Sequence, residues 1–244
     1  MKKIIIDNTI TIFYALLIAL LIRSFFFQPF YIPSSSMEPN LLVGDRFFAT
    51  KFTYGFSRHS FPFSPNLFND RFLPNKPKRG DIIVFKTPAD NRTDYIKRLI
   101  GLPKDVVQII NGDLYLNEAK VKKNKINSKI KINCGKNIID VDFYNETLPN
   151  GLTYLAAYNK KNTMLNTDKF IVPLNHYFFM GDNRDCSKDS RYLSSVGYVH
   201  FDNLVGKASI IFFSTNSKEG NFFNFFRWSK IIRIDRLLKR VNEN

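Results

Sequence analysis

The chain has 244 residues, enough for one large domain or two modest ones with a full core. Its net charge of +15 and pI of about 9.7 suit an anionic membrane surface, nucleic acid or acidic partners, and the lysine- and asparagine-rich composition makes part of that charge compositional drift. The two cysteines, Cys134 and Cys186, form no CxxC pair, and no GxSxG, P-loop, HExxH or GxGxxG occurs, which argues against a zinc site and excludes those phosphate-binding and nucleophile-elbow motifs.

The chain opens on Met1-Lys2-Lys3, and from Ile10 to Ile22 it carries no charge. With Arg23 reaching back toward headgroups, the apolar stretch extends to Phe27 and approaches the roughly 20 residues of a spanning helix. A charged start with a short apolar core also describes a cleavable signal peptide. No small-x-small site follows Ile22, and Phe25-Phe26-Phe27 and Gln28-Pro29 do, which favours a retained membrane anchor over residues 1–28. Lys2 and Lys3 put the N-terminus in the cytoplasm, and Arg23 weakens that signal.

Next comes Pro33-Ser34-Ser35-Ser36-Met37-Glu38-Pro39, three serines between two prolines. Proline fixes its own φ and biases the preceding residue toward extended backbone, so a serine here is held open rather than wound into a helix. The segment reads equally as a linker or as the seat of a nucleophile. Residues 53–79 carry Pro62, Pro65, Pro74 and Pro77 with Phe56, Phe61, Phe63, Phe68 and Phe72, a long irregular loop too aromatic for plain disorder and expected to dip into the membrane or flank a substrate.

Ile82-Ile83-Val84-Phe85-Lys86 and Asp94-Tyr95-Ile96-Lys97-Arg98-Leu99-Ile100 read as strands. Val106 to Ile110 and Asp113 to Leu116, separated by Asn111-Gly112, call for a type I′ hairpin. Residues 118–136, rich in lysine and asparagine, read as an exposed excursion. Further short strands are expected over 137–167 with a turn at Pro149-Asn150-Gly151, and again at 170–172, 177–180 and 204–213. The end of the chain, with Phe222, Phe223, Phe225, Phe226 and Trp228 before mixed basic and apolar residues, suits either an interfacial segment or a helix packed on the domain.

A serine hydroxyl needs a base. His59 lies in the irregular loop, and His176 and His200 sit beside apolar runs, so none is well placed. A lysine serves if it is neutral, which requires lowering its pKa from about 10.4 by about 3 units, roughly 4 kcal/mol, through desolvation or nearby positive charge. Strand alternation places Tyr95, Lys97 and Leu99 on one face, an aromatic and a leucine flanking the amine, with Arg98 on the other face.

Four stretches in this order resemble bacterial type I signal peptidase: Pro33-Ser34-Ser35-Ser36-Met37-Glu38-Pro39-Asn40-Leu41, Arg79-Gly80-Asp81-Ile82-Ile83-Val84-Phe85, Asp94-Tyr95-Ile96-Lys97-Arg98 with Gly101-Leu102-Pro103, and Gly181-Asp182-Asn183-Arg184-Asp185 through Ser190-Arg191. The resemblance implies a mainly β protein: an N-terminal transmembrane helix, a mostly antiparallel catalytic core over 29–105 and 170–213, an inserted β subdomain over 106–169 and a basic aromatic tail over 214–244. It implies a serine endopeptidase that removes signal peptides from exported preproteins after small residues, Ala-x-Ala fashion, through an acyl-enzyme and without cofactor or metal. Ser36 matches the nucleophile and Lys97 the general base. Ser34 matches an oxyanion-hole side chain acting with the backbone N–H of Ser36. Ser187 matches the serine that orients the lysine, and Asp189 with Arg191 the pair that organises the site. Phe30, Ile32, Leu41, Tyr95 and Ile96 match positions lining the substrate pockets. The implied partners are preproteins and the lipid bilayer, not nucleic acid, and the implied location is the bacterial inner membrane, single-pass, with the catalytic domain on the periplasmic face. The family's pattern departs at Ser35, often a glycine or small residue, and at Cys186, often asparagine. A basic nucleic-acid binder does not account for the ordered motifs. A self-cleaving repressor, another Ser/Lys hydrolase, does not account for the anchor.

Overall fold

In the computed structural model, residues 2–66, 70–135, 137–159, 161, 163–216 and 228–242 are described. The first element is α1 (Lys2–Phe25); within its segment Ile5–Phe25 an 18-residue stretch has a mean hydropathy of 2.2 and is uncovered, and only at the end, at Ser24 and Phe25, does the helix meet the domain. A helix apolar on every side and uncovered is long and apolar enough to cross a bilayer. Arg23 sits in its last turn, where the helix dipole favours a cation. Only Phe26 separates α1 from β1 (Phe27–Tyr31). That joint is clamped: Lys51 N–H donates to Phe26 O, and the Phe25 ring lies edge-on against Phe56 and Phe61 of the irregular loop.

The chain then forms β2 (Asp45–Thr50), β3 (Ile82–Lys86), β4 (Asp94–Gly101), β5 (Val106–Ile110), β6 (Asp113–Leu116), β7 (Ala119–Lys120), β8 (Lys122–Cys134), β9 (Asn137–Thr147), β10 (Thr153–Tyr158), β11 (Phe170–Ile171), β12 (His176–Met180), β13 (Val199–His200) and β14 (Leu204–Ser214), with a short α2 (Trp228–Ile231) near the end. Among the described residues a seven-stranded sheet runs β1-β2-β14-β3-β4-β12-β13, all antiparallel, beside a three-stranded sheet β10-β9-β8 and a four-stranded sheet β11-β5-β6-β7. The fold is therefore mainly β with one long N-terminal helix, as the motifs imply.

Strand β3 is apolar at successive positions because both its faces are covered. Ile82 and Val84 pack with Ile32, Met37, Leu41 and Phe47, while Ile83 and Phe85 pack with Leu99, Phe179 and Leu204. The β5–β6 hairpin has the expected two-residue turn, with Asn111 and Gly112 both at positive φ.

Residues 118–136 are largely exposed, as expected, but they are not irregular: most of them form β8, paired with β9. The lysines are accommodated by cross-strand partners, Lys125 by Asp142 at 2.7 Å and Lys123 by the Tyr158 ring at 4.2 Å. Of the two readings of the closing segment, packing on the domain is the one residues 228–242 follow. Ser214 completes β14, and residues 228–242 fold back on the domain, with Val241 N–H bonded to Ser209 O and Ile231 buried. Arg236 grips the fully buried Asp45 carboxylate with two hydrogen bonds, of 2.9 and 2.6 Å. Phe222, Phe223, Phe225 and Phe226 lie outside the described residues, as does Phe68.

Candidate active site

Strand β1 carries the chain past Phe30 and Tyr31 into a 3-10 turn, Ser35–Met37. Three apolar side chains fix that turn from below: Ile32, Met37 and Leu41 are almost wholly buried. Gly44 N–H donates to Ile32 O, and Ile32 N–H to Asp45 O. Asn183 clasps the turn from the other side, its backbone N–H on Ser36 O and its side-chain amide on Ser35 O, both at 3.1 Å.

Ser36 Oγ meets Lys97 Nζ at 2.7 Å, and both residues are buried. Lys97 stands on β4 opposite Ile83. Its amine donates a second hydrogen bond to Ile96 O at 2.9 Å and lies 5.2 Å from the centre of the Tyr95 ring. Burial lowers its pKa to about 8. The carboxylates of Asp189 and Asp182 oppose that shift and Arg191 adds to it. Desolvation wins because each carboxylate is already matched by a guanidinium. Arg191 binds Asp189 at 2.8 and 2.9 Å, and Arg98 binds Asp182 at 2.7 and 2.8 Å. Burial pushes the Asp189 carboxyl up, but the Arg191 charge and the hydrogen bonds from Arg191 and Gly181 N–H hold it below the usual range.

Ser34 is exposed at the mouth of the site, its Oγ 3.3 Å from Ser36 Oγ. Ser187 Oγ is buried without a hydrogen-bond partner, Lys97 included, though it lies near enough to Asp189 to help keep that carboxylate ionised. Gly181 explains how Ser187 and the Ser36 turn come so close: a Cβ there would fall 2.2 Å from Ser187 Oγ and 2.5 Å from Ser36 O. An open cleft of about 580 Å³ lies over the pair, lined by Phe30, Tyr95 and Ile96 together with Ser34, Ser35, Ser36 and Lys97. Ile32 and Leu41 lie in the core beneath it, at 1% and 0% exposure, and shape its floor from below.

His59 is remote from this cleft. Burial and the surrounding cations lower its pKa to about 4, and its Nδ1 meets Ser64 Oγ. Among the described residues no group of His, Cys, Asp and Glu converges as a metal site.

The family model described as signal peptidase, peptidase S26, matches residues 5–213. The chain belongs to the signal peptidase I family. Signal peptidase I of Rickettsia typhi is 38% identical over 93% of this chain and 90% of its own length. That of Rickettsia conorii is 42% identical over 83% of this chain and 77% of its own. The crystal structure of a signal peptidase I from Enterococcus faecalis matches at 28% identity over 55% of this chain and 97% of that one, with a TM-score of 0.31. The protein is thus a serine endopeptidase of the type I signal peptidase class.

Within this signal peptidase most residues named from the motifs gather around the Ser36–Lys97 contact, but Ser187 makes no hydrogen bond to Lys97, and Ile32 and Leu41 face the core rather than the cleft. Sequence reading assigned no role to Asp182, Arg98 or Asn40, which form a buried knot: Asn40 donates to Asp182 Oδ2 at 2.7 Å and to Leu155 O. Nor did it find Glu146, which pairs in the core with Arg184 and the hydroxyls of Tyr154 and Tyr158. Asp182 and Arg184 stand inside the Gly181-Asp182-Asn183-Arg184-Asp185 motif, so the signal was present, but the partners come from distant strands.

Proposed function

We propose that Ser36 and Lys97 form the working dyad of a membrane-anchored signal peptidase that cuts exported preproteins after small residues. The observation that carries this reading is the 2.7 Å contact between the Ser36 hydroxyl and a buried amine whose pKa is brought to about 8. At pH 7.5 about a quarter of such amines are neutral, enough to act as a base.

The preprotein lies extended in the cleft. Residues 94–97 of β4 pair with β3 on one side only, since β12 pairs further along, at Arg98, Leu99 and Gly101. The free side of a strand accepts an extended peptide as an added strand. Lys97 Nζ takes the proton from Ser36 Oγ as the oxygen attacks the scissile carbonyl carbon. The oxyanion receives hydrogen bonds from Ser34 Oγ and the Ser36 backbone N–H. The ammonium of Lys97 then gives its proton to the leaving amine, the C–N bond breaks, and the acyl-enzyme remains. Lys97, neutral again, takes a proton from the water that attacks the acyl carbon, the bond to Ser36 Oγ breaks to release the signal peptide as its carboxylate end, and Lys97 returns the proton to Ser36 Oγ. Asp189, paired with Arg191, acts on Lys97 through its charge, Ser187 packs beside Asp189 without a bond to the amine, and Phe30, Tyr95 and Ile96 leave room for small side chains. With α1 in the inner membrane, the catalytic domain stands on its periplasmic face.

The test is preprotein cleavage by purified protein in detergent. Ser36→Ala and Lys97→Met are each expected to lower it by at least about 10⁴-fold, the order found for removal of catalytic triad members, with the circular dichroism spectrum unchanged. Near-normal cleavage by either variant overturns the dyad.

A further inference from the structure

Cys134 and Cys186 are bonded to each other, and the bond lies beside the dyad rather than at a remote corner. Cys134 is the last residue of β8, paired with Asn137, so it marks the tip of the β8–β9 hairpin. Cys186 follows the loop that clasps the nucleophile: its N–H donates to Asn183 O, and Asn183 in turn binds Ser35 O and Ser36 O. The Ser35 hydroxyl sits 3.6 Å from Cys186 Sγ. Gly135, at the hairpin tip, and Cys186 both line the cleft that holds Ser36 and Lys97. Strand β8 is an edge strand of a sheet separate from the seven-stranded one, and it lies against the turn that carries Ser36.

We propose that the Cys134–Cys186 bond makes the tip of the β8–β9 hairpin a wall of the peptide-binding cleft, so that this hairpin, and not the catalytic sheet alone, determines how a preprotein is held. The inference builds on the peptidase reading above. A staple serving stability alone has no need to reach the cleft, whereas here Cys186 at one end of the bond and Gly135, next to Cys134 at the other, both line it. At Gly135 φ is +61°, and a Cβ would meet nothing within 4 Å, so a side chain placed there enters open space. Asparagine tolerates that left-handed conformation. It therefore adds bulk to the wall without disturbing the bond.

The experiment compares wild type, Cys134→Ala/Cys186→Ala and Gly135→Asn for KM and kcat on a preprotein, alongside thermal melting. KM is expected to rise five- to tenfold in the double variant and at least threefold in Gly135→Asn, with kcat within twofold and the pH midpoint of activity unmoved. Wild type treated with dithiothreitol, which opens the bond to two thiols while closing to its own cyclic disulfide, should match the double variant, and the double variant should not respond. If the double variant fails to fold, Gly135→Asn and the reductant decide. An unchanged KM in Gly135→Asn or in the reduced enzyme overturns the proposal, as does a fall in kcat with a shifted pH midpoint, which would place the effect on the dyad. Binding of a fluorescent signal-peptide segment to the Ser36→Ala protein separates the two readings. Weaker binding with Gly135→Asn added upholds the wall even if wild type cleaves nothing, and in that case the peptidase reading alone fails.

Discussion

In the proposed dyad Lys97 can serve as the base only once it has lost its proton, and what lowers its hold on that proton is the burial of a strand residue walled in by its neighbours. Its pKa falls to about 8, so the neutral form grows as pH rises through that value, and kcat/KM for a preprotein should climb along a limb with its midpoint near pH 8. A flat profile between pH 6 and 9 would contradict this. Asp189 raises the lysine pKa, so Asp189→Asn should move the midpoint to lower pH. The same change leaves Arg191 buried and unpaired, at a cost of about 3 kcal/mol measurable by urea unfolding. The flanks of Lys97 were legible because Tyr95, Lys97 and Leu99 alternate on one strand. The buried pairs Arg98–Asp182 and Arg184–Glu146 were not, because each joins residues from separate elements and nothing local in the sequence points from one to the other.

The Asn-Gly hairpin and the apolar run of β3 could be read directly, since turn chemistry and an unbroken hydrophobic stretch are local properties. Strand β8 was hidden because its lysines mimic a solvated loop, and only the aromatic and acidic partners on β6, β9 and β10 make it a strand. The place of the closing segment stayed open between two readings for a related reason: the groups that hold it, Asp45 for Arg236, Ser209 for Val241 and Gly80 for Asn242, are all distant in sequence. Asp45 is wholly buried, and beside Arg236 it holds Ser214 Oγ and Leu42 N–H. Arg236→Ala leaves that charge short of a cation and should cost about 3 kcal/mol in chemical denaturation. Because Asn40 O also receives Arg236, preprotein cleavage should fall together with stability. A variant as stable as wild type would show that the closing segment does not brace the nucleophile turn.

In the molecule as a whole, the four motifs converge although they are spread from Pro33 to Arg191, which is why their order was more informative than any one of them. The cleft, by contrast, is assembled from β1, β4, the nucleophile turn and the tip of a hairpin from another sheet, a convergence that no linear pattern announces.

The joint at Phe26 has a consequence for which bond is cut. Helix passes into strand across a single residue, β1 is paired over its whole length with β2, and Ser36 follows Phe25 by 11 positions. With α1 embedded in lipid as proposed, little slack separates that rod from the Ser36 hydroxyl, and the rod would act as a gauge of altitude. A polypeptide whose own greasy segment stays embedded can offer only the bond that reaches that altitude. Inserting Gly-Ser-Gly-Ser between Phe26 and Phe27 should release the gauge. In a ladder of precursors with the spacing varied residue by residue, wild type should favour one rung and the insertion variant should spread its cuts over several.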